Sequence, residues 1–260
     1  MGGRGSGGRT GQWFRWNKHN WPEGNKPLDK SSSSSENKNS YTSFSDTASG
    51  GWTYYGDGKE QVEFFNQYSN YDELINNMNS NERSAFQDYW TPGHFMDGQQ
   101  YRGWDNMSSR DQRLTKMYDN ILDKSTLDKG VVLVRRTDAQ LVMGAGNRRA
   151  TLEQLKSMEG RTVTSKGSMS FGAASQGLTI GDSSKNIEYK LHIPGGTKGA
   201  GMWIGDRRIN GWGPEQREFM TNRDIALKVG KTVYDKSRGV YVVDVYWLGR
   251  LKHDYGSKGK

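Results

Sequence analysis

Glu218 closes the run Gly213-Pro214-Glu215-Gln216-Arg217-Glu218, and Gln216 stands two residues before it. Side chains alternate along a strand, so Gln216 and Glu218 would share one face. A carboxylate held there is suited to complement positive charge that develops in a transition state. The bland alternative is a solvated glutamate at a strand edge, and a shift of one residue would make Glu215 the first carboxylate instead. Arg135 and Arg136 follow the apolar run Val131-Val132-Leu133-Val134. A planar guanidinium suits a bidentate anion contact better than a lysine does, and alternation lets only one of the two enter a cleft. Ser170 ends Lys166-Gly167-Ser168-Met169-Ser170. Each piece occurs by chance in a basic, polar chain, and their order along it carries more information than their identity.

In that order the segments resemble the mono-ADP-ribosyltransferase family in its Arg-Ser-Glu class, whose members include bacterial exotoxins and phage proteins. Lys166 to Ser170 is similar to the stretch that introduces the family's serine, and Ile193-Pro194-Gly195-Gly196-Thr197-Lys198-Gly199 to the turn before its substrate loop. Glu218-Phe219-Met220-Thr221-Asn222-Arg223-Asp224 stands where the family has Glu, three mostly apolar residues, a turn residue, Arg and Gly. The resemblance covers roughly residues 114–247. It implies NAD as co-substrate, cleavage at the nicotinamide–ribose bond and transfer of ADP-ribose to a macromolecular acceptor, expected to be a protein. It implies that Glu218 is catalytic, with Gln216 orienting the acceptor as in the subtype that modifies amides. Arg135 would reach NAD phosphate and ribose, Ser170 would hold the carboxylate, and Trp212 would meet the protein substrate. Phe171-Gly172 replace the usual Thr-Ser, which removes a second hydroxyl and leaves Phe171 as a partial substitute against the nicotinamide. The competing readings are an NAD glycohydrolase and a catalytically degenerate binding or virion module on the same scaffold.

Composition bounds the setting. The chain has 260 residues, 32% hydrophobic, no Cys and a formal net charge of +8, with a mean hydropathy of -0.95. Without Cys there are no disulfides, thiolate metal sites or cysteine nucleophiles. His19, His94, His192 and His253 lack the close spacing of a metal cluster, so no metal is expected. Neither a membrane span nor a secretory signal is legible, which points to a soluble protein, cytoplasmic or carried into a host cell; the resemblance to phage proteins implies a virion as one candidate carrier. Residues 1–50 and 249–260 each carry a net charge of +3. Basic tails of that kind do not make a face for duplex DNA, and nucleic acid is not an expected partner. Residues 1–50, with Ser31 to Ser35 uninterrupted, read as a tether too polar to fold. Trp13, Phe14, Trp16 and Trp21 within it suit docking on a carrier, a partner or a nucleic-acid strand, the alternative being that they fold back onto the body.

These residues need a scaffold, expected as one α+β domain over residues 51–260. Residues 57–128 read as helical: Val62, Phe65 and Tyr68, then Tyr71, Leu74, Ile75 and Met78, recur at three and four residues. Further helices open at Ser80 and near Ser108. Tyr101, Arg102 and Trp104 lie where the family's helical part walls the NAD cleft. Residues 129–250 read as the β core, with strands at Val131 to Val134, near 161–171, 187–193, 217–220, 225–229, 232–235 and 239–247, a short helix from Leu152 to Met158, and a basic tail at 251–260. The ADP-ribosyltransferase-like fold implied is a helical subdomain beside two small antiparallel sheets that form an NAD cleft.

Overall fold

The computed structural model describes residues 59–88, 103–144, 147–172, 180–181, 185–209 and 218–256. The expectations for residues 1–50, Tyr101, Arg102, Trp212, Glu215 and Gln216 fall outside this set.

The helices come first: α1 Lys59–Tyr68, α2 Tyr71–Asn77, α3 Ser80–Asp88 and α4 Ser109–Leu122. The periodicity that reads as one helix from 62 to 78 is interrupted at Ser69 and Asn70. Asn70 turns its amide to another part of the chain, accepting from Thr126 N at 2.7 Å and donating to Lys124 O at 2.9 Å. Ser69 Oγ donates to Phe65 O, closing α1. Short polar side chains offer the backbone alternatives to the helix, and here they win. Asn79 rather than Ser80 caps α3, its side chain accepting from Asn81 N and Glu82 N while Glu82 accepts from Asn79 N. Ser108 caps α4 as the sequence predicts.

The strands are β1 Thr126–Leu127, β2 Val131–Thr137, β3 Thr162–Ser165, β4 Ser170–Gly172, β5 Ile180–Gly181, β6 Ile187–Ile193, β7 Thr197–Lys198, β8 Gly201–Trp203, β9 Glu218–Thr221, β10 Ile225–Asp235 and β11 Val240–Arg250. Two short helices, α5 Gln140–Met143 and α6 Leu152–Lys156, lie between β2 and β3. The main sheet runs β3-β10-β11-β6-β2-β4-β9-β8, with β5 against β2, and β1 pairs β7 separately. The join between β2 and β4 is the single pair Val134↔Gly172, so the ladder divides into a longer half and a shorter half, β4-β9-β8. Most pairs are antiparallel, but β6 runs parallel to β11. The stretch 161–171 is two strands rather than one: β3 pairs β10 and β4 pairs β9, in different halves. Conversely 225–235 is one strand with a register shift between Val229 and Thr232.

Helices α1 and α2 pack on the shorter half, whereas α5 meets β3 and α6 meets β10 in the longer half. Phe65 stacks on Trp203 with ring centroids 5.4 Å apart and meets Phe219 at 6.1 Å, while Tyr71 reaches Phe219 at 6.3 Å. Burying such side chains contributes roughly 1.5–3 kcal/mol each. Gly201 lets β8 lie close on β9: a Cβ there would stand 2.1 Å from Met220 O, and its φ of 141° is one that L side chains rarely adopt.

Candidate active site

β9 enters this packed shorter half at Glu218. Its neighbour Phe219 points into the helices, and alternation sends Glu218 the other way. β4 runs antiparallel beside it, with Ser170 opposite Met220, Phe171 opposite Phe219 and Gly172 opposite Glu218. Ser170 and Glu218 are therefore diagonal neighbours across two strands, within reach of each other.

The Ser170 hydroxyl hydrogen-bonds the Glu218 carboxylate, and the charge of Arg135 acts on it. Arg135 also donates to Ser170 O, which ties β2 to β4 at the carboxylate. Glu218 is only 2% exposed, Arg135 6% and Ser170 9%. Burial pushes the Glu218 carboxyl up to about 7, and the Ser170 hydrogen bond and Arg135 charge only partly oppose it. Three side chains drawn from positions 135, 170 and 218 thus meet at one point, a grouping that places a guanidinium, a hydroxyl and a titratable carboxylate together. A diphosphate with a cationic nicotinamide ribose has chemistry that fits this donor set.

Arg136 leaves on the other side of β2, its Nε donating to Lys185 O at 2.6 Å. Phe171, expected beside the nicotinamide, is instead fully buried in the apolar core, because alternation turns it away from Ser170. Gly172 offers no side chain opposite Glu218, so Ser170 supplies the hydroxyl that β4 gives to this carboxylate. Trp104 stands edge-on to Tyr255 at 4.9 Å, with Lys116 Nζ 5.3 Å from its ring centroid.

Sequence reading missed how the end of β9 is held. Thr221 N donates to Met169 O at 2.7 Å, and Met169 N to Thr221 Oγ1 at 3.0 Å, so the residue before Ser170 is fastened to β9. Asn222, Arg223 and Asp224 then enter a buried polar cluster with Asp119, Asp123 and His253. Asp224 at φ 51°, in a place where the resembling family has Gly, was the available signal.

The family model "ADP-ribosyltransferase exoenzyme" matches residues 65–246. Comparison with curated protein sequences finds no match. Among solved structures the chain is similar to an ADP-ribosyltransferase toxin from Paenibacillus larvae, at 15% identity and a TM-score of 0.61, over 76% of this chain and 99% of that one. It is similar to a protein from S. aureus solved with NAD, at 16% identity and a TM-score of 0.59, over 76% and 98%. An ADP-ribosyltransferase from Clostridium botulinum matches at 16% identity and a TM-score of 0.60, over 75% and 98%. With the fold shared across nearly the whole of those chains and the family model spanning most of this one, the chain belongs to the ADP-ribosyltransferase exoenzyme family and is an NAD-dependent ADP-ribosyltransferase.

Proposed function

We propose that the protein transfers one ADP-ribose from NAD to a protein acceptor, with Glu218 as the catalytic carboxylate. The observation that carries this reading is the buried Glu218 carboxylate bonded to the Ser170 hydroxyl beside Arg135. Arg135 binds the NAD phosphate and ribose, and Ser170 orients the carboxylate. The bond between nicotinamide nitrogen and ribose C1′ breaks, its electron pair leaving with neutral nicotinamide. Positive charge appears on the ribose, and ionised Glu218 complements it in a site with little water to compete. The acceptor nucleophile then bonds to C1′ and gives up its proton to water. Gln216 orients that acceptor, which favours an amide side chain over a guanidinium, and Trp212 meets the acceptor protein.

Incubation with NAD labelled in its adenylate part, with and without a cell lysate, tests the reading. Label carried on a protein is the expected result. Free ADP-ribose alone would replace the transferase with a glycohydrolase, and no cleavage at all would replace both with a binding module. Acceptor chemistry follows from stability of the linkage to hydroxylamine together with Gln216→Glu: a gain of Arg modification in that variant is expected if position 216 selects the acceptor.

A further inference from the structure

We propose that residues 251–256 form a latch that locks the turn after β9 against the end of α4 and so positions Glu218 and Ser170, with His253 as its ionic pin. This rests on the reading of Glu218 as the catalytic carboxylate and Ser170 as its hydroxyl partner.

By charge pattern this segment is the start of a basic tail, yet it is packed. Leu251 is buried, and its N donates to Asp224 O at 2.6 Å. His253 Nδ1 lies 3.2 Å from Asp224 Oδ2 and its Nε2 lies 3.0 Å from Asp123 Oδ1, with Asp119 Oδ1 at 3.7 Å. Both ring nitrogens thus face carboxylates, which an imidazolium satisfies and a neutral ring cannot. Tyr255 donates to Asp119 Oδ2 at 2.9 Å and carries Trp104 edge-on. Three elements meet on this segment: α4 supplies Asp119 and its C-terminal cap Asp123, the turn after β9 supplies Asn222, Arg223 and Asp224, and β11 supplies Arg250, which pairs with Asp123. Arg223 is paired with Asp119 at 2.8 Å and Asp224 at 2.6 Å, and Lys166 reaches Asp224 at 3.5 Å.

The cluster reaches the catalytic pair along both strands. Lys166 lies four residues before Ser170 and Asp224 six after Glu218, and the Met169–Thr221 bonds join the two paths. Releasing Asp224 therefore frees the exit of β9 and the approach to β4 together. Burial by itself would push the His253 ring down, but its hydrogen bonds to Asp123 and Asp224 and the charge of Asp119 hold it up to about 9. Asp123 is held down to about 2 and Asp224 below its ordinary range, against the effect of burial, chiefly by their hydrogen bonds to His253. A raised histidine contributes stability that is fully present below its unfolded value and is lost as pH rises through about 9. The latch is thus closed at neutral pH and opens only in alkali, which makes His253 and Asp224 positioning residues rather than catalytic ones.

The test is the pH profile of NAD cleavage for the full chain, His253→Gln and Asp224→Gly, with Glu218→Gln as control. For the wild type, kcat should fall as pH rises through about 9 while KM for NAD barely moves. His253→Gln should lower kcat on the order of tenfold at neutral pH, since sub-ångström displacement of reacting groups has effects of that size, and should lack the alkaline fall. Asp224→Gly separates the latch from a plain turn. Glycine relieves the left-handed backbone at φ 51°, so a turn residue predicts unchanged kcat and equal or greater stability, whereas the latch predicts a loss of kcat despite that relief. If His253→Gln does not fold, the wild-type profile and Asp224→Gly decide. An Asp224→Gly enzyme with wild-type kcat and alkaline limb overturns the latch. Retained turnover in Glu218→Gln would instead overturn the site assignment.

Discussion

The Glu218 carboxyl carries a cost that the proposed catalytic role explains. It is buried and raised from 4.5 to about 7, and at ~1.4 kcal/mol per unit the ionised form is disfavoured by roughly 3 kcal/mol in the folded protein. A raised acid contributes stability that is fully present below its unfolded value of 4.5 and is lost as pH rises through about 7. Glu218→Gln keeps shape and removes the charge. Turnover should fall by ~10²-fold or more, as when a transition-state contact is lost, while NAD binding measured by calorimetry changes little. Its thermal midpoint should rise above the wild type in mildly alkaline buffer and match it near pH 4.5, the opposite directions of stability and activity marking a functional carboxylate. Wild-type kcat/KM for NAD should climb with pH through about 7 as the group ionises. Gly172 stands directly across from that carboxylate in extended backbone, so Gly172→Ser can add a second hydroxyl donor. A hydrogen bond to the charged form favours it, and the acid limb of the profile should move below about 7. An unmoved limb would mean that another group controls it.

At the scale of elements, β2 decides which arginine faces Ser170 and Glu218. Arg135 turns toward Ser170 O and Arg136 toward Lys185 O, on opposite sides of one strand. Arg135→Lys should therefore weaken NAD binding more than Arg136→Lys, and equal effects by titration calorimetry would refute the assignment. That alternation was legible in the sequence because it needs only the period of a strand, and the same is true of Glu218 beside its apolar neighbours and of the cap at Ser108. What was not legible depends on partners far along the chain. Ser69 and Asn70 break a helix whose apolar period continues through them, because Thr126 and Lys124 supply better hydrogen bonds than the helix does. Phe171 reads as a partial substitute against the nicotinamide until β9 places Phe219 opposite it in the core. The parallel pairing of β6 with β11 joins segments more than 50 residues apart, and nothing local encodes it. His253 is a lone histidine in a basic tail by sequence, and its role comes entirely from the three aspartates brought to it.

For the whole molecule, the core runs from Phe65 to Leu251 and helix α1 closes on β8 and β9 through Phe65, Trp203 and Phe219. Arg208 adds a polar tie between the two parts, meeting Asp206 and Asp72, both at 2.6 Å. Such a core has its apolar partners within the described residues, and the site assembled by β2, β4 and β9 draws on the same set. Residues 1–50 differ in kind: a net charge of +3, a serine run, and yet Trp13, Phe14, Trp16 and Trp21 among basic neighbours. Aromatic rings beside cations suit adhesion to another macromolecule, and the expectation from the sequence is docking on a carrier or partner rather than catalysis. A chain shortened to begin at Gly51 should keep its thermal midpoint and its rate of NAD cleavage in solution, and should lose association with that carrier in co-sedimentation. Replacing Trp13, Phe14 and Trp16 together by Ala in the full chain should reproduce the loss of association without altering cleavage. A lowered thermal midpoint or rate in the shortened chain would mean that these aromatics pack on the body, and the docking role would fall.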